Sequence, residues 1–141
     1  MGNKIGKAYA FFDCDASKEQ MERSIPSLRR DAMTPDGLQL LLHEGTSGLQ
    51  FDKALTELIE FPDDYRVKSS KWCKQDHEKE RKPLANMKYV LEADYNGASN
   101  KDTASELGDL LNVVHYEFNR DQSFFRGEIV YNKNGKYIFK E

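Results

Sequence analysis

The sequence predicts an α+β domain in which short strands and amphipathic helices alternate and pack in two layers. Three observations point to it. Runs at 8–12, 38–44 and 87–94 are apolar and of strand length. Segments that start at Ser17 and near Ser99 join a capping residue to apolar side chains at helical spacing. The two kinds of segment alternate along the chain instead of segregating into halves.

The bulk numbers fit one domain spanning 1–141. The chain has 141 residues, of which 38% are hydrophobic, and it carries eight Phe and seven Tyr. Aromatic side chains bury the most area each, so one core can be filled. A net charge of -3 argues against a surface devoted wholly to nucleic acid. The two cysteines, Cys14 and Cys73, do not make a disulfide framework, and a cytoplasmic location is expected. The apolar stretch 8–12 is too short for a secretory leader, and no window approaches a membrane span.

Ala8-Tyr9-Ala10-Phe11-Phe12 reads as a buried strand ending in Asp13-Cys14-Asp15. Ser17 to Gln20 has capping-box form, and Met21, Ile25 and Leu28 follow at helical spacing. Pro26 inside that run predicts a kink or a split. Thr34-Pro35-Asp36-Gly37 is a turn, and Leu38 to Glu44 the second strand. Phe51, Ala54, Leu55, Leu58 and Ile59 mark an extra helix at about 51–60. From Pro62 to Asn86 the chain turns polar without an apolar period. It reads as a long loop with at most one exposed helical piece.

Met87 to Asp94 is the third strand, and Asn96-Gly97 a turn. Ser99 or Asn100 caps a helix with Ala104, Leu107, Leu111, Val114 and Phe118 on one face. Glu128 to Tyr131 and Tyr137 to Phe139 read as a C-terminal β-hairpin joined across Asn134-Gly135. Two successive β-α-β units make this order that of a ferredoxin-like two-layer sandwich. Right-handed crossovers would set the first and third strands side by side and parallel at its centre.

That plan brings the ends of strands one and three to one sheet edge. Asp13, Cys14 and Asp15 would then meet Asp94 and Asn96 beside two helix N-termini, and ligands favour such an edge. Carboxylates gathered there could hold Mg²⁺ for a metal-assisted phosphate-handling reaction. The plainer reading makes these acids helix caps. Cys14 is a candidate nucleophile or, more plainly, a small buried residue. Arg126, opening the final hairpin, could bind an anion or pair with a carboxylate. His115 near its helix end suits the dipole. Cys73 and His77, four apart, could be half of a zinc site, but no other half is visible and an exposed polar segment is the plainer reading.

Between Arg66 and Lys82 lie seven basic residues and three acidic ones around Trp72. Lys71, Trp72, Lys74, Arg81 and Lys82 could grip a nucleic-acid backbone while stacking a base, or coat a solvated loop. No Gly-rich phosphate loop, triad spacing or metal quartet is present, so neither a metal nor a cofactor is expected. The leading expectation is a non-enzymatic module. It would bind a protein or small molecule through an exposed sheet face or edge, and it could act as a homodimer.

Overall fold

A computed structural model describes residues 3–45, 66–69, 87–119, 127–131 and 138–140. The expected helix at 51–60 lies outside them, as do Arg126, Lys71, Trp72, Lys74, Arg81, Lys82, Cys73, His77 and the Asn134-Gly135 turn. Strands β1 (Asn3–Phe12), β2 (Leu38–Glu44), β3 (Arg66–Ser69), β4 (Tyr89–Asn96), β5 (Gly127–Val130) and β6 (Ile138–Lys140) form one sheet. Helices α1 (Lys18–Asp31) and α2 (Asn100–Asn119) pack on it. The order across the sheet is β2-β4-β1-β5-β3, with β6 also paired to β1.

The first and third strands of the expected plan, β1 and β4, are central neighbours. They run antiparallel, not parallel, with Phe12 opposite Tyr89 and Ile5 opposite Asn96. The reason is that the two crossovers interleave. β1 and β2 are both antiparallel to β4 and so run parallel to one another, with β4 filling the slot between them. β4 and β5 stand in the same relation across β1.

The expected C-terminal hairpin is also corrected. β5 pairs with residues 9–12 of β1 and β6 with residues 3–5, both antiparallel. They therefore run the same way, end to end along one edge of β1. A ten-residue strand offers enough edge for both short strands. Inside the segment expected as loop, β3 pairs with the outer edge of β5 through a register shift between Arg66 and Lys68. A strand of four residues is too short to register as an apolar period.

Ser17 caps α1, its Oγ accepting from the Gln20 N–H. Pro26 neither splits the helix nor ends it. The C-terminus closes in a Schellman arrangement: Thr34 N–H donates to Arg29 O and Met33 N–H to Arg30 O. Met33 takes the left-handed conformation there, at φ 56. Along β1, Ala8, Ala10 and Phe12 face the helices and join Met21, Leu28, Leu107 and Leu111 in the core. Phe12 and Tyr89 stack at 5.6 Å between ring centroids. Ala104, Leu107, Leu111 and Val114 are all buried, as their spacing predicts, and Phe118 packs against them.

The start of α2 is seated directly on β1. A Cβ on Gly6 would lie 2.4 Å from Ser99 O, 2.5 Å from Ala98 O and 2.5 Å from Thr103 Oγ1. Two of those atoms are backbone and cannot swing away. Next to Gly6, the Lys7 N–H donates to Asn100 Oδ1 at 2.9 Å. Lys7 falls between the stretches of β1 that β5 and β6 cover. The buried Asn100 side chain thus supplies the acceptor that an edge strand would otherwise provide. Gly6→Ala is expected to cost about 2 to 3 kcal/mol in urea denaturation, because the docked loop must move. Gly37→Ala is the control: its added methyl would meet only the Tyr95 ring, at 3.4 Å. Equal effects from the two would contradict the tight seating.

Candidate functional site

Because β1 and β4 are antiparallel, the predicted meeting of strand ends does not occur. Asp13, Cys14 and Asp15 follow Phe12, beside Tyr89 at the start of β4. Asp94 and Asn96 sit at the other end of the sheet, opposite Lys7 and Ile5. The two groups are roughly 20 Å apart along the strands. A shared metal or phosphate site built from them is ruled out by this geometry. Among the described residues, no three His, Cys, Asp or Glu side chains converge on a metal position.

Asp13 and Cys14 have local roles. Asp13 Oδ1 accepts from the Lys88 N–H at 2.9 Å and ties the start of β4 to the end of β1. The Tyr89 hydroxyl and Lys88 Nζ both donate to Ala16 O, holding the same corner. The helix caps are Ser17 and Ser99, whose Oγ accepts from the Asp102 N–H, and not the aspartates. Cys14 is 4% exposed, and its Sγ accepts from the Ala16 N–H. Burial raises its pKa above the ordinary thiol value, so it stays a thiol and is a poor nucleophile. Burial lowers the pKa of His115, which therefore stays neutral at neutral pH instead of serving the helix dipole as a cation.

The face of the sheet turned away from α1 and α2 carries a set of groups that the sequence reading did not assemble. Lys7 Nζ lies 2.7 Å from Glu92 Oε2 and 3.4 Å from Asp94 Oδ1. His43 Nε2 lies 3.0 Å from Glu92 Oε1. Lys7 also sits 5.9 Å over the Tyr9 ring. Lys7, Glu92 and His43 belong to β1, β4 and β2, so one carboxylate clamps three strands. Both Glu92 oxygens are occupied by partners, which suits a register lock better than a general base. The signal was present as polar residues at alternate positions: Lys7 and Tyr9, Glu92 and Asp94, Gln39 and His43. Grouping them requires the cross-strand register, which no single strand reveals.

At the β4–α2 turn a cleft of about 370 Å³ is lined by Tyr95, Asn96, Gly97, Ala98, Asp102, Ser105 and Glu106. Gly97 makes the turn at φ 80. The wall is acidic, so it disfavours phosphates and other anions. Burial raises the pKa of Glu106, and Asp109 and Asp102 on the same helix push it further the same way.

The remaining candidate is an edge. β2 is the outermost strand on its side of the sheet and, among the described residues, pairs only with β4. Leu41 on it is 57% exposed. Arg29 Nη2 donates to Leu38 O at 2.7 Å and to Pro35 O at 3.1 Å, closing the start of the edge. The Leu38 carbonyl thus points away from β4. By strand alternation, Leu40 and Leu42 turn their N–H and C=O groups outward in the same way. Among the described residues, no helix is long and apolar enough to cross a membrane.

Glu106 gives a signed pH prediction. Its folded pKa is raised by burial and by Asp109 and Asp102, so folding disfavours its charged form. The stability of the protonated form is present below the ordinary carboxylate value of 4.5 and is lost as pH rises through the folded value. Glu106→Gln should therefore stabilise the fold at neutral pH, by about 0.3 to 0.5 kcal/mol, as expected for relief of like-charge pairs on a helix. The gain should vanish at pH values well below 4.5. Chemical denaturation at both pH values checks this, and a gain that persists in acid would contradict it.

Compared with known proteins, no family model matches the chain, no curated protein matches it, and no solved structure matches it.

Proposed function

We propose that this chain is a non-enzymatic protein-binding module that takes an extended segment of a partner onto the edge of β2 left open among the described residues. The observation that carries the reading is the edge itself. Its sequence, Leu-Gln-Leu-Leu-Leu-His-Glu, holds no Lys, Arg or Pro. Those residues, with bulges and covering loops, are the usual means of blunting an edge strand. Here the outward backbone groups of Leu40 and Leu42 flank the exposed Leu41 side chain. A strand laid against them would gain main-chain hydrogen bonds and one apolar contact, which is how sheet augmentation works.

Two further points support a binding role. On the sheet face turned away from the helices, Lys7 is engaged with Glu92 and Asp94, and His43 with Glu92. The four strands β2, β4, β1 and β5 with two interleaved crossovers fit the ferredoxin-like plan, to which β3 and β6 are departures. Such scaffolds host many functions, so the reading rests on the edge and not on the plan. The workplace proposed for the module is the cytoplasm.

The test is selection of binders from a library of random short peptides against the whole chain. Selected peptides should show alternating apolar positions and should slow amide hydrogen exchange at Leu40 and Leu42. Leu41→Lys should weaken them by roughly tenfold, the order expected from one buried apolar contact. Binders that leave the Leu40 and Leu42 amides unchanged, for instance by filling the cleft beside Asp102, would overturn the reading.

A further inference from the structure

Resting on that reading, we infer that the segment taken up by β2 is β2 of a second copy, paired antiparallel about a two-fold axis at Leu41. The strand is its own complement in this register. Leu41 would face Leu41 of the second copy. Leu40 would face Leu42, and Gln39 would face His43, on each side of the axis. Leu40 and Leu42 are the residues whose backbone groups point outward, and they flank the axis symmetrically, so the pairing forms without moving either strand. The Leu38 carbonyl, which Arg29 already holds, lies at the end of the overlap and is not needed.

The neighbouring register is poorer. An axis at Leu42 would set Leu41 against His43 and the partly buried Leu40 against the exposed Glu44, apolar against polar. The axis at Leu41 instead sets the exposed Leu41 side chains of the two copies against each other, apolar against apolar. A symmetric, self-complementary contact is also the commonest form of homo-oligomer. One strand edge buries little area, so the dimer is weak and forms in a concentration-dependent way.

Cross-linking separates this from other arrangements. Directly opposed, non-hydrogen-bonded residues of an antiparallel pair have Cα atoms about 4.5 Å apart, within disulfide range. In a Cys73→Ser background, Leu41→Cys should therefore form a disulfide dimer on mild oxidation. Gln39→Cys should not, because its counterpart lies roughly 13 Å away along the strand. Sedimentation equilibrium of the whole chain should show a monomer–dimer equilibrium, which Leu41→Lys shifts to monomer by opposing two like charges.

Cross-linking at equal rates for the two cysteine variants, or a monomer at millimolar concentration, would overturn the inference. If selected peptides still protect the Leu40 and Leu42 amides in that case, the second copy is excluded and strand addition stands. If no peptide protects those amides either, both fall.

Discussion

The arrangement depends on the seating of α2 upon β1. β1 is the ten-residue strand that carries β4 on one side and both β5 and β6 on the other. Along that second side, no strand among the described residues covers the stretch between β5 and β6, where the Lys7 amide lies. Asn100 supplies the acceptor from the helix layer, through its contact with Lys7 N–H. Gly6, one residue earlier, lets the 98–99 backbone come close enough for Asn100 to reach. The side-chain acceptor and the missing Cβ are one device. It fixes where α2 begins, and with it the position of the Leu107 and Leu111 face over the core.

The sheet face turned away from the helices, where Tyr9, Phe11, Val90 and Val130 are also buried, is held by a different means. Lys7, Glu92 and His43 link three strands through a single carboxylate, at side-chain exposures of 16%, 14% and 17%. Such a cluster adds specificity of register more surely than it adds stability. It also leaves these three groups committed to one another. The edge strand β2 is therefore held rigidly from one side by β4 and Glu92, and from one end by Arg29, while its other side stays open among the described residues. A rigid strand loses little freedom when another strand is laid against it.

Much of the element content could be read from the sequence. Leu38 to Glu44 and the helix face at Ala104, Leu107, Leu111 and Val114 stand as the spacing predicts, and Ser17 caps its helix. Periodicity and capping are local, and these are local facts. Strand direction is not local. The reading that β1 and β4 run parallel failed because each β-α-β unit was treated alone, whereas the units interleave. With that direction went the supposed meeting of Asp13 with Asp94. The hairpin at Asn134-Gly135 was inferred from a turn signal that says nothing of a third strand offering both neighbours an edge. β3 was missed because four residues carry too little pattern. The Lys7, Glu92 and His43 cluster needed register across three strands, and the open edge of β2 needed the strand order.

Native-state hydrogen exchange at the Lys7 amide is the most direct measurement of the docking constraint. If Asn100 acts as the missing strand partner, this amide exchanges as slowly as its neighbours at the centre of β1. In Asn100→Ala it should exchange as fast as an open edge amide such as Leu40. A Lys7 amide that already exchanges like an edge amide in the unaltered chain would contradict the account.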